Sequence, residues 1–347
     1  MSARFLTVVL ERAFNMRDGF GREIDYMRIS VIDSCNLNCY YCNPCDNNEH
    51  CHALNILSVK EVLCIVRAAT RLGIKHFRLT GGEPLLHPQL DEMVLQIKKI
   101  PGVSSVSLTT NAVLLAQHAK WLKEAGIDSI NVSLDTIDAS EYERITKKPL
   151  LEEVKHGINA AIECGIRVKI NVVLTPQTDV VALTRYVAKK GTDIRFIEMM
   201  PVGEGHTNGV EPYKKVIGTL SKLYGEPCRI NTEKTKEINS GNDKRKIPDN
   251  GPAEYYIFPE LGIRVGLIQA IHGKFCDTCN RIRVTADGRL MPCLGSSVTM
   301  DLVPDSWDFA DDVEKDFAIV RALRAAIKAK PRCHNFNDNA VTYTKTT

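Results

Sequence analysis

Two groups of three cysteines carry the most specific chemistry in this chain. Cys35, Cys39 and Cys42 are spaced C-x3-C-x2-C, and Cys276, Cys279 and Cys293 are spaced C-x2-C-x13-C. Three thiolates at such spacing can hold three corners of an iron–sulfur cube. The fourth iron then stays open to a ligand, as a catalytic zinc keeps one position open. From the residues alone a zinc site is an alternative in both places. Cys45, Cys51, His50 or His52 would complete the first, and Cys333, His334 or His272 the second. The chain holds 12 cysteines in 347 residues, a length that needs no disulfide staples. Met1–Leu10 lacks the apolar core and small-residue cleavage site of a secretory signal. No stretch approaches the roughly 20 apolar residues of a membrane span. The expected location is therefore cytoplasmic, where thiols stay reduced and many cysteines point to metal or redox chemistry. Cys64, Cys164, Cys228 and Cys333 read as small core hydrophobes.

The triads need a scaffold, and the middle of the chain supplies one. Short apolar runs at Tyr26–Ile32, His76–Thr80, Ser105–Thr109, Ser129–Leu134, Val168–Leu174 and Ile194–Glu198 read as strands. Amphipathic runs at Ser58–Leu72, Pro88–Lys99, Ala112–Ala125, Leu151–Cys164 and Asp179–Lys189 read as the helices between them. Ser58 with Glu61 makes a capping box. Such alternation predicts an α/β fold with a parallel sheet, either doubly wound or a full or partial barrel. After about residue 200 the pattern changes. Glu233–Asn250 is charged and polar, Glu254–Phe258 and Ile263–Ile268 read as extended, and Arg281–Thr285 with Arg289–Cys293 reads as a hairpin. Asp312–Lys328 reads as the final helix. The expected domains are 1–235 and 236–347.

Lys+Arg is 45 and Asp+Glu is 42, a net charge of +3. That balance excludes a surface built throughout to grip nucleic acid or an anionic membrane. Yet Arg28, Arg78, Lys169 and Arg195 sit inside apolar strand text, where parallel strands should be continuously hydrophobic. Buried unpaired cations are costly. Pairing with carboxylates such as Glu198 and Asp135 would answer this; so would one shared anion, since Arg fits phosphate oxygens bidentately.

The first triad, with Tyr41 before its last cysteine and Thr80-Gly81-Gly82-Glu83-Pro84 ending the second strand, resembles the radical S-adenosylmethionine (SAM) superfamily. That resemblance implies a partial (βα) barrel of the radical SAM type, with a smaller C-terminal α+β cluster-binding region. It also implies SAM chelated at the open iron and cleaved to a 5′-deoxyadenosyl radical. The run Gly273–Leu294, the segment Gly251–Tyr256 and Arg28–Val31 are similar to the GTP 3′,8-cyclase (molybdenum cofactor biosynthesis protein A) family, over about Asp18–Phe336. The implied activity is that of a lyase that turns GTP into 3′,8-cyclo-7,8-dihydro-GTP, the first step of molybdenum cofactor biosynthesis.

By the same resemblance the chain carries two [4Fe-4S] clusters, on Cys35, Cys39 and Cys42 and on Cys276, Cys279 and Cys293. Tyr41, Gly82, Ser133 and Met200 correspond to SAM-contacting positions. Arg28, Arg78, Thr109, Lys169, Arg195, Arg281 and Arg283 correspond to GTP-contacting positions. No catalytic side chain beyond the cluster ligands is assigned. The implied partners are GTP, an electron donor and a downstream pyranopterin synthase, with no nucleic acid and no membrane; homodimer formation is left open. The chain departs from the family at Ser34, at His87, at the extra Cys45 and Cys51, and at Tyr343–Thr347, where the family ends in Gly-Gly. The alternatives are a divergent radical SAM paralogue acting on another nucleotide or a peptide, and a non-catalytic metal-binding protein.

Overall fold

Each apolar run with strand propensity in the middle of the chain is followed by an amphipathic one, and together they build a βα ladder. The computed structural model describes residues 16–42, 55–201, 212–230, 251–302 and 312–336. Cys45, Cys51, His50, His52, the segment Glu233–Asn250 and the tail Tyr343–Thr347 lie outside the described residues. Strands β1 (Tyr26–Ser30), β2 (His76–Thr80), β3 (Ser105–Thr110), β4 (Ser129–Ser133), β5 (Val168–Leu174) and β6 (Asp193–Glu198) pair in sequence order, all parallel. Parallel neighbours need crossover connections. These are helices α1 (Val59–Arg71), α2 (Leu90–Lys98), α3 (Leu115–Glu124), α4 (Ala139–Thr146), α5 (Leu151–Glu163) and α6 (Val180–Lys189). Helix α1 shows why such segments fold as they do. Val62, Ile65, Val66 and Ala69 repeat at helical spacing and are all buried. At its start Ser58 Oγ accepts from Glu61 N and Glu61 Oε2 accepts from Ser58 N, which closes the capping box.

The C-terminal strands extend this sheet at both edges. β7 (Cys228–Ile230), β8 (Glu254–Ile257) and β9 (Arg264–Ile268) form an antiparallel meander, and β9 joins β6 in parallel. β10 (Arg281–Val284), β11 (Arg289–Met291) and β12 (Met300–Asp301) form another, and β10 joins β1 in parallel. The result is one 12-stranded sheet in the order β12-β11-β10-β1-β2-β3-β4-β5-β6-β9-β8-β7. The βα strands thus form the expected partial barrel, with the C-terminal hairpins on its open edges. Helix α7 (Pro212–Tyr224) lies beside α6, and α8 (Asp312–Lys328) lies on α1, where Arg71 and Asp316 pair at 2.8 Å. The segment after α8 then returns toward the β10–β11 hairpin.

Two of the minor cysteine expectations are corrected. Cys64 is buried as expected, but Cys228 is exposed on β7 and Cys333 is exposed after α8. Neither fills core. Among the described residues no helix is long and apolar enough to cross a membrane.

Candidate active site

The loop that leaves β1 carries the first triad. Its backbone is anchored on the end of α4, where Asn38 N donates to Thr146 O at 3.0 Å and Tyr40 N to Ile145 O at 3.1 Å. Cys42 N turns back onto Cys39 O at 3.0 Å. The Gly81-Gly82 pair after β2 packs against the segment that leads into Cys35. Gly82 N donates to Ile32 O and Glu83 N to Ser34 O, each at 2.7 Å. A Cβ on Gly82 would stand 2.2 Å from Ser34 O, so only glycine fits. The close approach that the two glycines permit is therefore to the protein's own backbone.

Glu83 locks this arrangement. It is fully buried and accepts from Thr110 Oγ1 at 2.6 Å, Asn111 N at 2.7 Å and Leu85 N at 3.0 Å. Burial pushes its carboxyl up from 4.5 to about 7 against these three donors. A raised folded-state value means that, between about 4.5 and about 7, the folded protein keeps a proton that the unfolded chain gives up. This contribution to stability is complete below that window and is lost as pH rises through it. Melting temperature followed across the window should fall more steeply for wild type than for Glu83→Gln; equal slopes would remove Glu83 as the cause.

Burial opposes ionisation of Cys35 and Cys39, so a bound cation is what would favour their thiolates. Burial pushes Cys35 up to about 11, and burial with the neighbouring Cys42 and Asp135 raises Cys39 further. Leu37 N at 3.5 Å and Asn111 Nδ2 at 3.8 Å point at Cys35 Sγ, as donors to cluster sulfurs do. None of the three forms a disulfide. This donor set fits an iron–sulfur cluster, which holds its ligand thiols deprotonated. Alongside, Tyr41 Oη donates to Asp135 Oδ2, and Asp135 Oδ1 accepts from Val173 N at 2.7 Å. Burial raises the Asp135 carboxyl to about 6. Cys39, Tyr41 and Ser133 line one small cleft of about 40 Å³. Gly82 lies instead against Ser34, and Met200, just past β6, lines the large cavity described next.

That cavity holds about 490 Å³. Arg28, Arg78, Lys169, Arg195, Arg281 and Arg283 line it, together with Cys276, Cys279 and Cys293. The register explains the convergence. Arg28 on β1 is paired with Arg283 on β10 and with Arg78 on β2, which sets three guanidinium groups in one row across the sheet. From the other side Lys169 and Arg195 come in on β5 and β6. Gly266 on β9 makes room for Arg195, because a Cβ there would lie 2.7 Å from its Cγ. Glu198 and Asp135, the carboxylates that the sequence offered as partners, are turned elsewhere. Glu198 binds Ile271 N at 2.7 Å and the His272 ring, and Asp135 binds Tyr41 and Val173. Asp128 is the carboxylate among the described lining residues, and Lys98 already pairs with it at 2.9 Å. Arg28 Nε is buried with no hydrogen-bond partner. Burial and then Arg283 hold the Arg28 guanidinium well below its ordinary range, and burial with Arg281 lowers Arg283 to about 10. Arg28 and Arg283, so crowded, call for an anion.

Thr109 does not line the cavity; its Oγ1 accepts from Arg78 at 3.4 Å, which makes it a support for that guanidinium. His87 is buried and fully used, with Nε2 on Leu57 O at 2.9 Å and Nδ1 accepting from Gln89 N at 3.1 Å. Sequence reasoning missed Tyr26, whose hydroxyl accepts from Arg78 Nε, and Lys330. The Lys330 ammonium donates to Arg281 O and Pro292 O, both at 2.8 Å, and so ties the two strands that carry the second triad. Burial works against ionisation of Cys279, but Arg281 and Lys330 more than offset it and hold this thiol at about 7. The second triad, too, fits a metal cluster. A lysine beyond the end of a surface helix has no sequence signal of such a role.

The chain matches the family model of the radical SAM superfamily over residues 29–182 and that of molybdenum cofactor synthesis C over residues 192–336. The GTP 3′,8-cyclase of Clostridium perfringens (strain 13 / Type A) is 35% identical over 324 residues, 92% of this chain and 95% of the relative. That of Listeria monocytogenes (serovar 1/2a) is 36% identical over 323 residues, 92% of each. Among solved structures, Streptococcus suis SuiB bound to S-adenosylmethionine matches with a TM-score of 0.56 at 15% identity, over 82% of this chain and 63% of SuiB. The anSMEcpe enzyme with bound AdoMet matches with a TM-score of 0.55 at 17% identity, over 86% of this chain and 82% of that one. These two likenesses are of fold. The sequence identity reaches further, because it is sustained along nearly the full length of chains of matching size, and by it the chain belongs to the GTP 3′,8-cyclase family of radical SAM enzymes.

Proposed function

We propose that the protein converts GTP to 3′,8-cyclo-7,8-dihydro-GTP, the first step of molybdenum cofactor biosynthesis, using SAM and two [4Fe-4S] clusters. The observation that carries this reading is the shared wall of one cavity, where the second cysteine triad meets cations from five strands. A nucleoside triphosphate has the matching parts: a polyanion for the cations and a base for the open position at the triad. Cys35, Cys39 and Cys42 hold the first cluster, and Cys276, Cys279 and Cys293 the second. When bound, the first cluster and SAM supply the electron and the 5′-deoxyadenosyl group that start the reaction. Tyr41, Gly82, Ser133 and Met200 hold SAM. Arg28, Arg78, Lys169 and Arg195 neutralise the phosphates, and Thr109 and Tyr26 keep the Arg78 fork aimed at them. Arg281, stacked 4.8 Å over the Phe275 ring, and Arg283 bind beside the base. In this division of labour residues 1–235 serve SAM and the triphosphate and residues 236–347 serve the base. An electron donor and a downstream pyranopterin synthase complete the reaction sequence in the cytoplasm.

Anaerobic reconstitution should give about eight irons and eight sulfides per chain. With SAM and a reductant, release of 5′-deoxyadenosine should then depend on GTP. Cleavage indifferent to GTP but stimulated by another nucleotide or a peptide would replace the substrate. Tightly bound zinc with no iron would end the reading.

A further inference from the structure

Beside the second triad lies a second set of metal-ligating groups. Cys276, Cys333 and His334 bring their ligand atoms within 4.8 Å of one another, and the Cys333 and Cys276 sulfurs are 3.4 Å apart. Two thiolates on one tetrahedral zinc, at Zn–S about 2.3 Å, sit about 3.8 Å apart, so the observed separation is close to that of a single shared ion. His334 shows the second mark of such a site. Its Nε2 is engaged with Ala270 O at 2.6 Å, while its Nδ1 is buried with no partner. A ring that donates to a backbone carbonyl from one nitrogen and keeps the other bare is how metal-binding histidines are oriented. The segment is also rigidly delivered. Arg22 donates to Cys276 O at 2.7 Å, Arg332 O at 3.0 Å and Pro331 O at 2.6 Å, and it pairs with the buried Asp18. One side chain thereby pins the Cys333 segment to the Cys276 turn.

We propose that Cys276, Cys333 and His334 form a mononuclear site for a thiophilic divalent cation, zinc(II) or iron(II), with water in the fourth position. The site needs no assumption about the reaction. Its consequence does rest on the function above: Cys276 serves both this ion and the second cluster, so the two occupancies exclude each other. A zinc-loaded chain would carry the first cluster and be blocked at the second, and exchange of the Cys276 thiolate would decide between a dormant and a competent form.

Cobalt(II) titrated into the metal-free full chain under anaerobic conditions reads the site directly through thiolate-to-cobalt charge transfer and tetrahedral d–d bands. Loss of even an outer-shell partner costs about 10–100-fold in metal affinity, so Cys333→Ala should weaken this cobalt binding by about 100-fold or more. His334→Ala should weaken it as well, and Cys293→Ala should leave it in place. Unchanged circular dichroism of the variants shows that they fold. In a second arm, zinc is added before iron and sulfide. Wild type should then assemble about four irons per chain and Cys333→Ala about eight. Cobalt binding that survives Cys333→Ala but is lost in Cys293→Ala would assign the ion to the cluster triad and overturn the proposal. So would the absence of any thiolate–cobalt band that depends on Cys333. Failure to form a second cluster even without zinc would overturn the cluster assignment instead, and would leave the cobalt result standing.

Discussion

Cys293→Ala is expected to halve the iron content, from about eight to about four per chain, and to lower cyclic product formation at least about 1,000-fold, while SAM still binds at the first triad. Cys293 stands just past β11, after Pro292, and lines the cavity with Cys276 and Cys279, whereas the first triad leaves β1 on another loop. The two centres therefore lose ligands independently. Removal of one of three thiolates leaves a cluster with two open corners, which neither persists nor presents a single defined position to the base. The effect belongs to the substrate step, so 5′-deoxyadenosine release should lose its dependence on GTP. Iron and sulfide analysis, electron paramagnetic resonance of the reduced protein and chromatography of the products read the three parts separately. The side chain is only partly buried, so the fold should melt as wild type does. Product at the wild-type rate with about four irons would take the second triad out of the substrate site altogether.

Much of this architecture was legible because local and global signals agree. The six βα strands were readable from apolar runs, and β2 and β5 occupy the expected bounds, His76–Thr80 and Val168–Leu174. The cations were legible for the opposite reason. Arg28, Arg78, Lys169 and Arg195 break strand text that should be apolar, and all four line the cavity. What was not legible is non-local. Nothing in the text of Arg281–Val284 states that it will pair in parallel with Tyr26–Ile29, and that pairing alone places Arg283 next to Arg28. Helix α4 was missed because eight residues give barely two turns of periodicity; its start is fixed by Asp138, whose Oδ1 accepts from Glu141 N at 2.8 Å. As a lone cysteine Cys333 carries no spacing signal, so the sequence offers it both as core filler and as a further ligand at the second triad; the return of the chain after α8 decides by setting it 3.4 Å from Cys276. Thr109 and Glu83 show the remaining limit. Motif text marks both as belonging to the site, and the fold alone makes one a support for an arginine and the other a tie between loops.

Arg28→Met should separate substrate binding from folding, because the same residue is required by one and strains the other. Arg28 stands between Arg283 and Arg78 in register, with its Nε buried and unpartnered, and burial together with Arg283 holds it well below its usual range. In the nucleotide-free protein the methionine keeps the packing of the long side chain and removes one of three crowded charges. Its melting temperature should therefore rise above that of the wild type. With substrate the balance reverses. Loss of a buried, charge-assisted contact to a phosphate costs about 3–4 kcal/mol, which is a KM for GTP raised about 100- to 1,000-fold. Iron content should stay at wild-type level, since no cysteine depends on this side chain for position. Arg28→Lys should recover part of the loss, because it restores charge but not the two-pronged fit. The decisive comparison is thermal shift with and without GTP. Wild type should gain more stability from the nucleotide than Arg28→Met does, although it begins less stable. Equal gains for the two proteins would place the triphosphate elsewhere and leave the row of arginines without its anion.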